Sequence, residues 1–489
     1  MSGVLTGTES KIGDGGGAPR FVAGDSGTAF VFGFSKRGAT DQATLLTSLS
    51  GYVRECGEAV PYGLVHDVLD VNFRLGLARA YFVRLVGDAA KAASGKVKDG
   101  AGEGAKDTLR IEASSAGEWG DDVDWKVTAG TAPGTFRLQA SYEGDVEISP
   151  DLASNAEAVA YVAANFRYIR VIDLAGGNPV VSEGSLAGGD DDRESVDAET
   201  ISAARALIPA DLGPGQIAAP GFTTEAVHKA LIEVGVETKR TPILDGEDTD
   251  DAQSLIEDAA ALRALPGGQL AGLFVPWVKV PGVSIGTTRT LPMSAIMLGL
   301  IAAADKEKGH SNVAVAGPNG KASAYDKQPY AYDVTQTYTA QERADMNAAG
   351  VNVAIMDEGE VTNYGYRTLA NPVTNRNWLP LSNARYIVGA AFRAGRVIKR
   401  SEFANLDAQN ESRFKAESAI VTEVITPDWR DRAIFGLTPE EACSVSVEQD
   451  VDPDDGSMGS LTATLTMHPT KPAERIVLTV SSAPPTESL

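Results

Sequence analysis

The sequence predicts a multidomain protein that mixes α/β with α+β architecture. Three observations lead there. The chain has 489 residues with 43% apolar, 22% charged and 7% aromatic content, an ordinary globular composition on a length of about three domains. Strand-like runs alternate with helical periodicity through most of it. One interior stretch, 109–172, is almost purely strand-like and lies between linkers.

Residues 1–26 are rich in glycine, including Gly15, Gly16 and Gly17, and have no periodic apolar pattern, which predicts an extended arm. Thr28–Gly33 is a short apolar run closed by glycine, the pattern of a buried strand, and Ala80–Val86 reads as its partner. Residues 89–107, rich in Ala, Gly and Lys, read as a surface connection. Strands follow at Leu109–Ala113, Trp125–Thr128 and Thr135–Tyr142, then a helix near Ala156–Asn165, together a small, mainly β domain.

Past the acidic linker Gly188–Glu194, a helix from Ala198, an apolar run at Ala271–Trp277 and a helix over Pro292–Lys308 predict an α/β layer. A helix over Thr339–Ala349 leads into a buried strand, Val351–Met356. Asn383–Ala404 reads as an amphipathic helix, because Ile387, Ala391, Ala394 and Ile398 recur at helical spacing. Near the end, Leu461, Ala463, Leu465 and Met467 alternate with Thr462, Thr464 and Thr466, a strand with one apolar face. The seven residues His468–Glu474 include two prolines and separate it from a last strand within Arg475–Val480.

Composition excludes several functions. A net charge of −23 repels nucleic-acid phosphate and anionic membranes. The longest apolar run, Met293–Ala304, is 12 residues and far short of the roughly 20 that cross a bilayer, and the N-terminus has no secretory pattern. Two cysteines, Cys56 and Cys443, cannot build a disulfide framework or a Cys-based zinc site. No two of His66, His228, His310 and His468 have metal-binding helical spacing.

Gly317–Ala322 departs from a phosphate loop because position 315 is Val and Ala322 lacks the metal-binding hydroxyl, so it reads as a turn. A serine hydrolase needs a nucleophile on a Gly-flanked turn, and no G-x-S-x-G occurs. His310 reads as a loop residue. The acidic runs Asp190–Asp192 and Asp245–Asp251 lack calcium-loop spacing and read as solvated loops. No cofactor or metal is expected.

Charge patterning is more specific. From Arg367 to Arg400 there are seven basic residues and no acid. Arg385, Arg393, Arg396 and Arg400 fall on the amphipathic helix and offer a docking surface for an acidic partner, or else form only the polar face of a core helix. Ile243–Asp258, with seven acids and no base, is the candidate counterpart on a neighbouring copy.

Laid out in order, these segments resemble the tail sheath proteins of contractile phage tails and related injection machines. Phe30–Gly33 is similar to that family's early strand ending in glycine, and Ala78–Leu85 with Ala89–Ala93 to its aromatic strand and Ala-rich turn. Gly117-Glu118-Trp119-Gly120 resembles the Gly-x-Trp-Gly turn of its β-sandwich insertion, and Leu186–Asp190 the Gly-Gly exit from it. Ser294–Gly309 resembles the helix leading out of its α/β layer. Met346–Asn352, MNAAGVN, and Tyr364–Leu369, YGYRTL, are similar to Leu-Asn-x-x-Gly-Ile-Asn and Trp-Gly-Ala-Arg-Thr-Leu, and Trp378 with the Arg385 helix follows in the same order.

The resemblance implies a sheath fold: a subtilisin-like α/β layer without protease activity, an inserted β-sandwich domain and a C-terminal α+β domain with extended terminal arms. The implied division is an arm at 1–26, the first part of the core at 27–107, the insertion at 108–185, the α/β domain at 195–340, the C-terminal domain at 341–467 and a linking arm at 468–489. The arms add strands to neighbouring subunits, through Val4, Leu5, Phe21 and Val22 at one end and Ile476, Val477, Leu478, Thr479 and Val480 at the other. The spacer before the last strand reaches about 23 Å when extended.

A homo-oligomer of stacked hexameric rings around a tail tube follows from the same resemblance, with baseplate and tail terminator proteins as further partners and no nucleic acid. The implied setting is the virion, assembled in the host cytoplasm, with contraction driving genome ejection. The alternatives are another self-assembling shell or filament protein, or an α/β hydrolase.

Overall fold

The computed structural model describes residues 27–100, 103–208, 212–282, 286–324, 330–452, 454 and 458–474. Strand β1 (Thr28–Gly33) is buried at all six positions, as a continuous apolar run must be when both faces of its sheet are covered. It is followed by β2 (Thr44–Leu46), α1 (Leu49–Cys56), α2 (Val65–Leu75) and β3 (Arg79–Arg84). The Ser48 hydroxyl accepts from the Gly51 N–H and starts α1. β3 pairs in parallel with β1 along all six residues, the partnership its sequence predicts.

An insertion then leaves the body: β4 (Ser94–Lys98), β5 (Asp107–Ala113), β6 (Asp124–Ala129), β7 (Phe136–Tyr142), β8 (Asp145–Ile148), α3 (Asn155–Asn165), β9 (Ile169–Asp173) and β10 (Ser182–Ser185). These form two sheets, β4–β5–β9 and β10–β6–β7–β8, around one apolar core that includes Val97, Leu109, Trp119, Leu138 and Val162. Residues 89–107 are therefore more than a surface connection. Ala93 and Val97 are fully buried, but a single inward valine among lysines leaves no periodic signal.

The insertion is clamped to the body at two places. Arg84, at the end of β3, ion-pairs with Asp191 in full burial and donates to the Gly38 and Ala116 carbonyls. Arg37 donates to the carbonyls of Val53, Arg54 and Glu55 while its guanidinium lies 5.9 Å and 5.4 Å from the rings of Tyr142 and Tyr168.

The chain returns as α4 (Ala198–Ala204), β11 (Gln216–Ala218), α5 (Glu225–Thr238), β12 (Thr241–Asp245), α6 (Ala252–Arg263), β13 (Gly272–Val275), β14 (Val278–Pro281), β15 (Thr288–Leu291), α7 (Ser294–Lys308), β16 (Asp333–Val334), α8 (Ala340–Ala349), β17 (Val351–Asp357) and β18 (Glu360–Asn363). Capping boxes at Asp197/Thr200 and Thr339/Glu342 start α4 and α8. The main sheet has the order β18–β17–β13–β12–β11–β1–β3–β2, parallel from β17 to β3. Ala29, Val31 and Phe82 face α1, α2 and α7, whereas Phe30, Phe32 and Val83 face α4, α5, α6 and α8, so alternate side chains build two cores. This sheet draws strands from 27–107, 195–340 and 341–467 alike. Where α2 crosses α7, a Cβ on Gly299 would come within 2.6 Å of Leu75 Cβ, and Asn72 bonds to the Ser294 carbonyl and the Gly299 N–H.

The C-terminal unit holds α9 (Leu381–Ile398), α10 (Glu411–Ile420), α11 (Thr426–Arg430), α12 (Pro439–Ala442), β19 (Cys443–Asp450) and β20 (Ser460–Met467), with a π-helical turn between α10 and α11. Helix α9 is not a one-faced amphipathic helix. Tyr386, Ala390, Ala394 and Val397 enter the core beneath the β19–β20 hairpin, while Ala384, Val388 and Phe392 enter a second core with Leu270 and Trp378. No helix among the described residues is long and apolar enough to cross a membrane.

Candidate assembly surface

Strands β19 and β20 pair antiparallel over eight positions, from Cys443↔Met467 to Asp450↔Ser460. Val447 and the inward half of β20 pack against α9 and α10, while Ser444, Ser446, Thr462, Thr464 and Thr466 face outward. A two-stranded sheet has two edges. That of β19 is engaged by Arg413, whose Nε donates to the Val447 carbonyl. Among the described residues β20 has no third strand beside it, and no bond reaches its outer backbone groups. In an antiparallel pair alternate residues turn their N–H and C=O to the free edge, so about half of the eight residues of β20 offer unpaired groups, a template for strand addition.

The strand-exchange candidates Val4, Leu5, Phe21, Val22, Ile476, Val477, Leu478, Thr479 and Val480 lie outside the described residues. The basic stripe divides. Arg385 does not face outward: it is buried and forms a two-pronged ion pair with Asp305 on α7, with Tyr366 Oη and the Ser311 carbonyl beside it. Burial pulls its pKa down, and Asp305 more than offsets this. Arg393 is likewise committed inward, donating to Asp428 Oδ1 at 2.5 Å and Oδ2 at 2.6 Å, where Asp428 also accepts from Tyr386. Charges taken out of water need such partners. Of the four arginines assigned to this helix, Arg396 and Arg400 are the exposed pair, Arg400 against Glu423.

The acidic stretch 243–258 is also not one solvated loop. Ile243–Asp245 closes β12 in full burial, and Asp251 caps α6 through the N–H groups of Gln253 and Ser254. Gly317–Gly320 is a single 3-10 turn, and Lys321 pairs with Glu358. Asp191 is consumed by Arg84 and Arg193. Among the described residues no group of three or more His, Cys, Asp and Glu could hold a metal ion.

The MNAAGVN and YGYRTL stretches meet in space. Gly350 ends α8 at a φ of 91°, and Asn352, fully buried, donates to the Leu273 and Arg367 carbonyls and accepts from the Arg367 N–H at 2.6 Å. Thr368 Oγ1 donates to the Trp378 carbonyl at 2.7 Å, and Leu369 N–H to Ala271. These residues splice 364–369 onto the sheet, a structural role.

A Ser, an Asp and a His do converge, but in a strut. Ser294 donates its N–H and hydroxyl to the Asp245 carboxylate at 2.8 Å and 2.6 Å, and His228 Nε2 lies 3.1 Å from the Asp245 backbone carbonyl. All three are buried, and the histidine bonds to a main-chain oxygen and not to the serine. The crevice at the carboxyl ends of β1 and β11, where open α/β sheets hold ligands, is occupied by side chains: the Phe34 and Phe222 rings pack at a 47° tilt with centroids 5.5 Å apart, with Leu64 and Trp277 against Gly221.

Burial pushes the Asp245 carboxyl from 3.8 up to about 7 and the His228 imidazole from 6.5 down to about 4. Asp245, raised, contributes stability that is present below pH 3.8 and lost as pH rises through 7. His228, depressed, contributes stability that is present above 6.5 and lost as pH falls through 4. The two slopes oppose each other between pH 4 and 6.5. Asp245→Asn is expected to make thermal stability fall on acidification across that window, and His228→Gln to make it rise, each by up to about 1.4 kcal/mol per pH unit. Melting curves against pH check this, and slopes of one sign in both variants would refute it.

No family model matches the sequence, and no curated protein does. Solved structures do. The sheath tail protein of Desulfitobacterium hafniense matches at a TM-score of 0.59 with 14% identity, over 95% of this chain and 100% of that one. The sheath tail protein of Listeria innocua matches at 0.61 with 13% identity, over 92% and 96%. The helical sheath of the anti-feeding prophage in its contracted state matches at 0.54 with 16% identity, over 99% of both chains. Along nearly its whole length, this chain has the fold of contractile-sheath subunits.

Proposed function

We propose that this chain is the structural subunit of a contractile tail sheath, polymerising as stacked, hexameric rings around a tail tube and contracting to drive the tube through the host cell envelope for genome ejection. The observation that carries the reading is the unpartnered eight-residue edge of β20 in a chain with this fold. A strand from a neighbour, supplied by Ile476–Val480 or by Val4, Leu5, Phe21 and Val22, satisfies that edge. The inserted two-sheet unit is the family's β-sandwich domain and the eight-stranded layer its subtilisin-like one.

Exchanged strands act as hinges while the doubly clamped body moves as one unit, and new contacts in the tighter lattice supply the free energy of contraction. Arg396 on α9 and Arg400 in the turn just past it are left to meet the tube or a neighbour. The reading requires no cofactor and no catalytic residue, and it places the protein in the virion, beside tube, baseplate and terminator proteins, after assembly in the host cytoplasm.

Negative-stain electron microscopy of the purified, concentrated protein tests this. Long, striated hollow tubes are expected. Uniform small particles at every concentration, with and without tube protein, would overturn the reading.

A further inference from the structure

Residues 468–474 lie along their own chain. His468 N–H donates to the Ala442 carbonyl at 3.0 Å, the His468 carbonyl accepts from Phe435 N–H at 2.7 Å, and Thr470 N–H donates to the Ala433 carbonyl at 3.0 Å. Asn312 holds this splice from a third direction. It is 9% exposed, and its Nδ2 donates to the Ala433 carbonyl at 2.7 Å and to the Thr470 carbonyl and Oγ1, both at 3.0 Å. Arg367 adds an ion pair to Glu474. Asn312 follows α7 in the α/β body, Ala433 belongs to the C-terminal unit, and Thr470 is the root of the tail, so one amide joins three segments.

We propose that Asn312 is a positioning residue for the C-terminal segment: it fixes the root at Thr470 and, with the Arg367–Glu474 pair, keeps 468–474 on the chain's own body and out of the tether available to another subunit. This rests on the strand-exchange reading above. The 23 Å of spacer reach, about seven residues at roughly 3.3 Å each, is then spent along the chain's own surface. Ile476 is two residues past Glu474, so an acceptor edge must come within about 7 Å of Glu474. Releasing the root together with the Arg367–Glu474 pair lengthens the tether from about two residues to about nine. Effective concentration falls roughly as the −3/2 power of length, which makes the loss about tenfold.

The test compares three full-length proteins: the wild type, Asn312→Ala, and the wild type with a short Gly-Ser segment of about six residues inserted after Glu474, which leaves the bonds of Asn312, His468 and Thr470 in place. Amide exchange at Thr470 and Phe435 reads the root, and the concentration at half-assembly into tubes reads the tether. Asn312→Ala is expected to speed exchange at both amides at least tenfold, leave the main sheet unchanged, and raise the half-assembly concentration by at most about tenfold, because the Arg367–Glu474 pair remains. The insertion is expected to leave exchange unchanged and raise that concentration about tenfold.

Unchanged exchange at Thr470 in Asn312→Ala, or an insertion variant that assembles at the wild-type concentration, overturns the proposal. If Asn312→Ala unfolds, the insertion variant decides. If the wild type itself forms no tubes, the assembly reading fails, and the exchange data alone still judge whether Asn312 holds the root.

Discussion

Asp305→Ala is expected to lower stability by about 3–5 kcal/mol, because it strands a guanidinium in the interior. Arg385 is buried, and its remaining neighbours, Tyr366 Oη at 3.3 Å and the Ser311 carbonyl at 3.4 Å, offer dipoles but no countercharge. Replacing both partners with leucine removes the charge together with its need, so Asp305→Leu with Arg385→Leu is expected to be close to neutral. Arg396→Glu, at an exposed position of the same helix, is expected to change stability by no more than about 0.5 kcal/mol. Urea unfolding of the four proteins separates these outcomes. A loss below about 1 kcal/mol for Asp305→Ala would mean that water reaches the pair and that α9 is less tightly held to α7 than the geometry requires.

Deleting Arg475–Leu489 is expected to abolish assembly while leaving the fold intact. The five described cores are built from residues up to Met467, all of which the deletion retains. The lattice loses a strand. Three or four ladder hydrogen bonds at about 1 kcal/mol each, before any apolar contact is counted, correspond to at least a hundredfold rise in the dissociation constant between subunits. That is an order of magnitude beyond the effect expected from a lengthened tether, so the two experiments rank against each other. The measurements are a melting curve, expected to overlay the wild type, and pelleting of tubes over a wide concentration range. Tubes at the wild-type concentration would show that the last strand is not the link.

Local signals carried much of the architecture into the sequence. β1 reads as buried from a short apolar run closed by glycine and β20 from the alternation of apolar residues with threonines, and the helix predicted over Thr339–Ala349 is found as α8, started by a Thr339/Glu342 capping box that went unread in the sequence. Each is a pattern of solvent against core, or of a backbone cap, within a few residues, and such patterns do not depend on the rest of the chain. The order of short motifs from Phe30 to Trp378 carried the family resemblance in the same way. The segment from 225 to 263 was legible only in part: α5 carries an exposed stripe of Glu225, Lys229, Glu233 and Glu237 at helical spacing that went unread, whereas β12 is buried at all five positions and has no alternation to set a period.

By itself, then, the sequence determined the mixed fold class, most strand and helix positions, the glycine-rich and proline-containing ends, and the absence of any motif spaced for catalysis or metal binding. Only the tertiary structure decided which charges face water. Arg385 finds Asp305 across 80 residues, Arg84 finds Asp191 across 107, and Asn312 reaches Thr470 across 158. A row of arginines reads as a docking face until the fold supplies their partners, and a seven-residue spacer reads as free until an amide holds it. Hydrogen bonds and ion pairs act over a few ångströms in space and carry no record of distance along the chain, which is why these choices had to wait for the folded molecule.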